Sequence, residues 1–330
     1  VITARLRLLA VLVGVAAVAG VALLAVPVVA SAAGSTSVAR AQASLYLGGA
    51  FTVDHGPVSV PGRAVSVTGV VRPYVPGQRV RLRAFLNGRR FESVLLRLKP
   101  SARAVYGGFH WTLHSPGVGQ VSVVVTHSRT ARLNGFERRT GFAALSPTAS
   151  FGQVGRFVQL VQQRLAALHF YIPQTGVYDA HTGLAIDAYH RLLGWGASQL
   201  LDRATIAELL NGRGSFHVRF PKQGDHAEGN LGKQLLALIK GRHVYWILPI
   251  SSGKPSTPTV LGSWRVYQRT PGLLPDGMYY SSFFTGGYAI HGYDPAPDYP
   301  ASHGCMRLPM IDAIPVYDWL RLGDWVDTYY

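Results

Sequence analysis

The chain has 330 residues, 48% of them apolar, and carries 32 Lys and Arg against 16 Asp and Glu, a formal net charge of +16. That length accommodates two or three domains. The basic balance points to an anionic partner, and the absence of a nucleic-acid-binding motif turns the expectation toward acidic wall polymer or anionic lipid and away from nucleic acid. The charge is dispersed and mostly Arg; its densest stretch, 72–103, reads as a solvated basic surface. A single cysteine, Cys305, excludes an internal disulfide.

At the start of the chain, Arg5 and Arg7 precede an uncharged apolar run over 8–30. As a helix this run extends roughly 35 Å, enough for a bilayer core of roughly 30 Å. Positive residues on its N-terminal side keep that end cytoplasmic and send the remainder outward. Ala30-Ser31-Ala32 also reads as a signal-peptidase site, so 1–33 is either an uncleaved anchor, with the membrane as a partner, or a cleaved signal. Both readings place the rest of the chain outside the cytoplasm, where a lone cysteine stands out as a free reactive thiol.

Residues 45–146 read as all-β. Alternating or β-branched runs such as Ala64-Val65-Ser66-Val67-Thr68 and Val121-Ser122-Val123-Val124-Val125 are separated by Pro61-Gly62, Pro76-Gly77, Asn87-Gly88 and Pro116-Gly117. This spacing predicts an immunoglobulin-like β-sandwich. His110 and His114 read as surface or packing residues.

The period changes over 152–212. Val158, Val161, Leu165 and Leu168 recur at helical spacing, as do Leu184, Ile186, Tyr189 and Leu192-Leu193, and Asp202 caps a third short helix. With Gly176, Tyr178-Asp179, Thr182 and Ala185-Ile186, this three-helix segment resembles the peptidoglycan-binding domain of cell-wall enzymes. It departs from that pattern at Tyr189-His190. The resemblance implies wall glycan as a partner; a plain helical spacer is the alternative.

A polar, Gly-containing stretch over 213–227 reads as a linker. Residues 228–330 return to β, with strands through Leu235-Leu236, Val244-Tyr245-Trp246 and Trp264-Arg265-Val266. A further strand, ending Tyr288-Ala289-Ile290, delivers His291. One helix is expected from Met310, and a closing strand over 324–329. The expected fold is therefore multidomain α+β: an apolar N-terminal helix, a β-sandwich, a three-helix module and a β-rich C-terminal domain.

The chemistry concentrates in that last domain. His291-Gly292 is followed, across a Pro- and Asp-rich loop, by Ser302-His303-Gly304-Cys305-Met306-Arg307-Leu308. A free thiol is only slightly ionised at neutral pH, and an imidazole within reach raises the thiolate fraction. Backbone N–H groups around His303, Gly304 and Cys305 offer donors to an oxyanion. These residues, with Ser252-Gly253-Lys254, Thr257-Pro258-Thr259, Gly262 and Gly287-Tyr288-Ala289-Ile290, resemble the signature of the L,D-transpeptidase catalytic domain.

That resemblance implies a cysteine enzyme that forms an acyl-enzyme with a peptidoglycan stem peptide, expels the terminal D-Ala and transfers the acyl group to an amine. It makes Cys305 the nucleophile and His291 the base. The Gly292 carbonyl orients the imidazole, and His303 and Gly304 shape the oxyanion site. Ser302 and Arg307 brace the loop or meet substrate, Arg307 having Asp312 as an alternative partner. Tyr280 and Phe284 are expected to line the donor groove. No cofactor is expected. His291, His303 and Cys305 also have the ligand types of a zinc site, with Asp294 and Asp298 nearby but no evident fourth ligand. The competing functions are a non-catalytic wall-binding protein and an L,D-carboxypeptidase or zinc hydrolase of stem peptides.

Overall fold

The computed structural model describes residues 38–330; the anchor or signal expected over 1–33 lies outside them. Ten strands come first: β1 (Gln42–Gly48), β2 (Phe51–Val53), β3 (Gly56–Ser59), β4 (Ala64–Arg72), β5 (Arg79–Leu86), β6 (Arg89–Arg97), β7 (Lys99–Pro100), β8 (Gly107–His114), β9 (Gly119–His127) and β10 (Phe136–Ala144). Three helices follow, α1 (Arg156–Ala167), α2 (Ala180–Leu193) and α3 (Arg203–Leu210). Then come β11 (His226–Asn230), β12 (Leu235–Lys240), β13 (His243–Pro249), β14 (Gly262–Arg265), β15 (Gln268–Leu273), β16 (Tyr279–Thr285), β17 (Tyr288–Gly292), β18 (Met306–Leu308), α4 (Met310–Trp319) and β19 (Trp325–Tyr329). Among the described residues, no helix is long and apolar enough to cross a membrane.

Period-two alternation builds the first two sheets. Val65, Val67 and Val71 of β4 and Val80, Leu82 and Ala84 of β5 are buried, while Arg79 and Arg81 point to solvent. The sheets run β1-β4-β8-β7 and β2-β3-β10-β9-β5-β6. They share a core that includes Val67, Leu82, Trp111, Leu113, Val123 and Phe142. Asn87 and Gly88, with φ of 50° and 82°, make the tight β5–β6 turn that Asn-Gly favours.

The helices follow the apolar periodicity. Their N-caps are acidic in two cases: Asp179 Oδ1 accepts the Thr182 N–H at 2.9 Å, and Asp202 Oδ1 accepts that of Thr205 at 2.7 Å. Each cap is worth about 1 kcal/mol. Gly194, at φ 77°, ends α2 in the left-handed conformation.

The C-terminal strands form a five-stranded sheet, β13-β12-β11-β19-β14, and a four-stranded sheet, β15-β16-β17-β18. Between them lies a core containing Leu236, Leu238, Leu248, Ile290, Met306 and Val326, with Val316 and Leu320 from α4 and the residue after it. The other face of the five-stranded sheet is covered as well. Leu235, Ala237, Ile239 and Ile247 share one core with Leu160, Leu165, Ile186 and Leu209 of the helices and with Val53 and Val58 of β2 and β3. Residues 169–171 also join the edge of β13, the Tyr171 N–H donating to Ile247 O and the Ile247 N–H to His169 O. The stretch 213–225 carries no helix or strand, yet Phe216 is buried and the Arg219 and Phe220 N–H groups bind the Glu228 carboxylate. The expected linker is thus packed in place.

Candidate active site

The four-stranded sheet brings the two motif segments together. β17 and β18 pair in parallel, with Ile290 opposite Met306 and His291 opposite Arg307. Ile290 and Met306 face the core. Because side chains alternate across a strand, His291 and Arg307 take the opposite face. Cys305, one residue before β18, follows the same parity, beside Ala289, whose N–H donates to Cys305 Sγ at 3.4 Å. The imidazole and the sulfur thus sit on neighbouring segments of one sheet face.

His291 is 2% exposed. Its Nδ1 donates to Gly292 O at 2.9 Å. That bond sets the tautomer: with the proton on Nδ1, Nε2 of the neutral ring keeps a lone pair. Burial pushes the His291 pKa below its ordinary 6.5, and the positive charge of Arg307 pushes the same way, against the Gly292 carbonyl and Asp276. Burial likewise pushes the Cys305 thiol above its ordinary 9.0, although the Ala289 N–H and Arg307 favour the thiolate. Both shifts favour the uncharged forms, a neutral thiol beside a neutral imidazole.

The Cys305 turn is held by its own side chains. Ser302, fully buried, donates from Oγ to Cys305 O at 2.6 Å and accepts the Gly304 N–H at 3.0 Å. The Gly304 N–H is therefore taken, and that group is removed from the expected oxyanion donors. Gly304 matters by shape instead: its φ is +122°, and a Cβ there would lie 2.0 Å from the Tyr288 ring. His303 is exposed, with Nε2 3.2 Å from Lys254 Nζ, which donates to it.

Arg307 stacks its guanidinium over the Tyr293 ring at 4.0 Å from the centroid. It does not pair with Asp312. That carboxyl is buried, its pKa pushed up to about 7 by desolvation, and the His181 imidazole lies 3.9 Å from it. Phe284 needs a correction too. It is 3% exposed and belongs to the inner core, because Phe283 is the residue that pairs with Ala289 and shares its face. Register shifts in β16 move that parity, and the sequence gives no sign of them. Tyr280, at φ 51°, packs edge-on against Tyr317 of α4 with centroids 5.1 Å apart. Among the described residues, no group of three or more His, Cys, Asp or Glu side chains is arranged to hold a metal ion.

A neighbouring track supports the turn. Ser252 O accepts the Ala301 and Ser302 N–H groups at 2.9 and 3.0 Å, Lys254 N–H donates to Ser302 O at 3.0 Å, and Ser251 exchanges backbone bonds with Arg307. Ser252-Gly253-Lys254 was legible as part of the motif, but its function as this track was not.

Residues 225–327 match the family model of the L,D-transpeptidase catalytic domain, YkuD. No curated protein matches the chain. Among solved structures, an L,D-transpeptidase from Xylanimonas cellulosilytica DSM 15894 is 28% identical, with a TM-score of 0.50, and the match covers 56% of this chain and 100% of that one. An L,D-transpeptidase from Stackebrandtia nassauensis is 18% identical over 56% of this chain and 96% of that one, with a TM-score of 0.35. The catalytic domain of the E. faecium L,D-transpeptidase is 25% identical over 32% of this chain and 98% of that one, with a TM-score of 0.29. Residues 225–327, which contain His291 and Cys305, are an L,D-transpeptidase catalytic domain of the YkuD family.

Proposed function

We propose that the protein is a cysteine-dependent L,D-transpeptidase that cross-links peptidoglycan stem peptides outside the cytoplasm. The observation that carries this reading is the shared sheet face of His291 and Cys305, with Nδ1 of the imidazole committed to Gly292 O. His291 Nε2 takes the thiol proton as the sulfur attacks the stem carbonyl that precedes the terminal D-Ala. The carbonyl becomes an oxyanion, which the backbone N–H groups of His303 and Cys305 stabilise. As the C–N bond breaks, the imidazolium returns its proton to the departing D-Ala amine, leaving a thioester. An amine of a second stem then attacks, losing a proton to His291, and the thiol is regenerated.

A resting neutral pair suits this sequence, since one proton moves out and back without a change in net charge. Ser302 and Gly304 hold the turn, and Phe283, half-buried beside Ala289, is a wall for the donor peptide. The helical segment is proposed to bind wall glycan, the basic sandwich to face anionic wall polymer, and the stretch 1–33 to be the anchor or export signal.

The test is incubation with a disaccharide-tetrapeptide, followed by mass spectrometry. Loss of the terminal D-Ala together with a cross-linked dimer is expected. Loss of D-Ala without dimer identifies a carboxypeptidase instead. An unchanged substrate, with the protein still bound to sacculi, identifies a wall-binding protein.

A further inference from the structure

Arg191 on α2 lies outside the YkuD-matched span, yet it is buried against the C-terminal strands. Its Nη2 is 2.5 Å from Asp187 Oδ2, one helical turn earlier. Its Nη1 donates to two carbonyls of the strands, Gln234 O at 3.1 Å and Ile250 O at 3.0 Å. These carbonyls flank Leu235 and Pro249, the last pair at the open end of the β12–β13 hairpin. One guanidinium thus ties that end shut, fixing the direction in which the chain leaves β13.

What leaves β13 there is the track under the Cys305 turn. Gln234 stands at φ 53°, an unusual conformation for a residue with a side chain. Its side chain is fully committed: Oε1 accepts the Ser252 N–H at 2.8 Å, and Nε2 donates to Ser252 Oγ at 2.7 Å and Leu231 O at 2.5 Å. Ser252 O then accepts the Ala301 and Ser302 N–H groups, and Ser302 Oγ bonds both Gly304 and Cys305. The hydrogen bonds are continuous from a helix of the preceding segment to the backbone of the nucleophile. Burial is the main cause that raises the Asp187 pKa; Arg191 opposes it, and the charge of Asp298, in the loop before the turn, adds to the rise.

We propose that Arg191 is a positioning residue for the Cys305 turn, so that the helical segment sets the reactivity of the thiol in addition to any binding of its own. A buried ion pair is a poor source of net stability, because desolvating two charges offsets much of their attraction. A guanidinium that spans two carbonyls of another element supplies geometry, which a planar fork does better than a point charge. What the positioned thiol does rests on the function proposed above; the hydrogen-bond path does not.

The experiment uses the full chain and the double variant Asp187→Asn/Arg191→Met, which removes both charges together. Two reactions of Cys305 are followed: alkylation by iodoacetamide across pH, and acylation by a carbapenem. The proposal predicts a folded variant whose acylation rate constant falls on the order of 10- to 100-fold, as a displaced catalytic group would give. Apparent carbapenem affinity should stay unchanged while the alkylation pH profile shifts, and Arg191→Lys should recover part of the rate. A folded double variant that matches the wild type in both reactions overturns the proposal. So does a rate loss that only tracks the fraction unfolded. If the double variant does not fold, Gln234→Met cuts the same path one step later and is judged by the same outcomes. Wild-type protein that alkylates but is not acylated sinks the transferase reading alone, and the alkylation profiles still decide this inference.

Discussion

The backbone N–H of Ala289 donates to the sulfur of Cys305 at 3.4 Å, joining the strand that carries the imidazole to the segment that carries the thiol. That contact favours a thiolate, but burial outweighs it and holds the thiol above its ordinary 9.0, while His291 lies below its ordinary 6.5. The reactive form is thus the neutral pair. Falling pH protonates the imidazole and abolishes the base, so the acid limb of carbapenem acylation is expected below pH 6.5, with a flat plateau up to about pH 9. Stopped-flow acylation from pH 4 to 10 measures this. An acid limb centred above pH 6.5, or a thiolate titrating near neutrality, contradicts the assignment.

Replacing the base should separate chemistry from fold. His291→Ala is expected to keep the far-ultraviolet circular dichroism of the wild type and to lose about 10²- to 10⁴-fold in acylation rate. Near-normal acylation by that variant would remove His291 from the mechanism.

Gly304 tests the turn. Its φ is +122°, and a methyl carbon at this position would stand 2.0 Å from the Tyr288 ring, so there is no room for a side chain. Gly304→Ala should therefore cost about 1–3 kcal/mol of stability through backbone strain. Acylation should fall further than the change in folded fraction explains. Unfolding midpoints and acylation rates measured on the same samples decide it, and a fully active Gly304→Ala protein would refute the need for this turn.

A buried pair elsewhere makes stability depend on pH. His226 and Glu228 are both fully buried, 3.1 Å apart, and His226 Nδ1 donates to Gly224 O at 2.7 Å. Burial lowers the His226 pKa, but the bonds to Glu228 and Gly224 and the nearby carboxylates outweigh it, for a net rise above 6.5. Burial raises Glu228, and the bonds from His226, Phe220, Arg219 and Tyr329 outweigh it, for a net fall below 4.5. The His226 contribution is complete below pH 6.5 and is lost as pH rises through its higher folded value; that of Glu228 is complete above pH 4.5 and is lost as pH falls through its lower folded value. This pair therefore contributes most between about pH 4.5 and 6.5. Urea unfolding of wild type and Glu228→Gln across pH should show the largest difference in that window, and a pH-independent difference would contradict it.

Local chemistry explains what could be read in advance. Val65 and Val67 on alternate positions, Asp202 before its helix, and Cys305 after Gly304 each announce themselves within a few residues. The rest depends on pairing between distant segments. Phe283 replaces Phe284 on the Cys305 face because of register shifts in β16. Glu228 is held by the Arg219 and Phe220 N–H groups of the preceding stretch, by Tyr329 of β19 and by His226 of its own strand, partners that only the folded chain assembles. Arg191 looks like an ordinary helix-surface cation until the β12–β13 hairpin end arrives beneath it. The raised thiol pKa was hidden for the same reason, since desolvation is a property of everything packed around a group.

Cys305 is the only cysteine in the chain, so a single intact-mass measurement addresses the central claim. After incubation with a carbapenem, the wild-type protein should gain the mass of one acyl adduct, and Cys305→Ala should gain none. A wild-type protein without an adduct, or an adduct that persists in Cys305→Ala, would contradict the account.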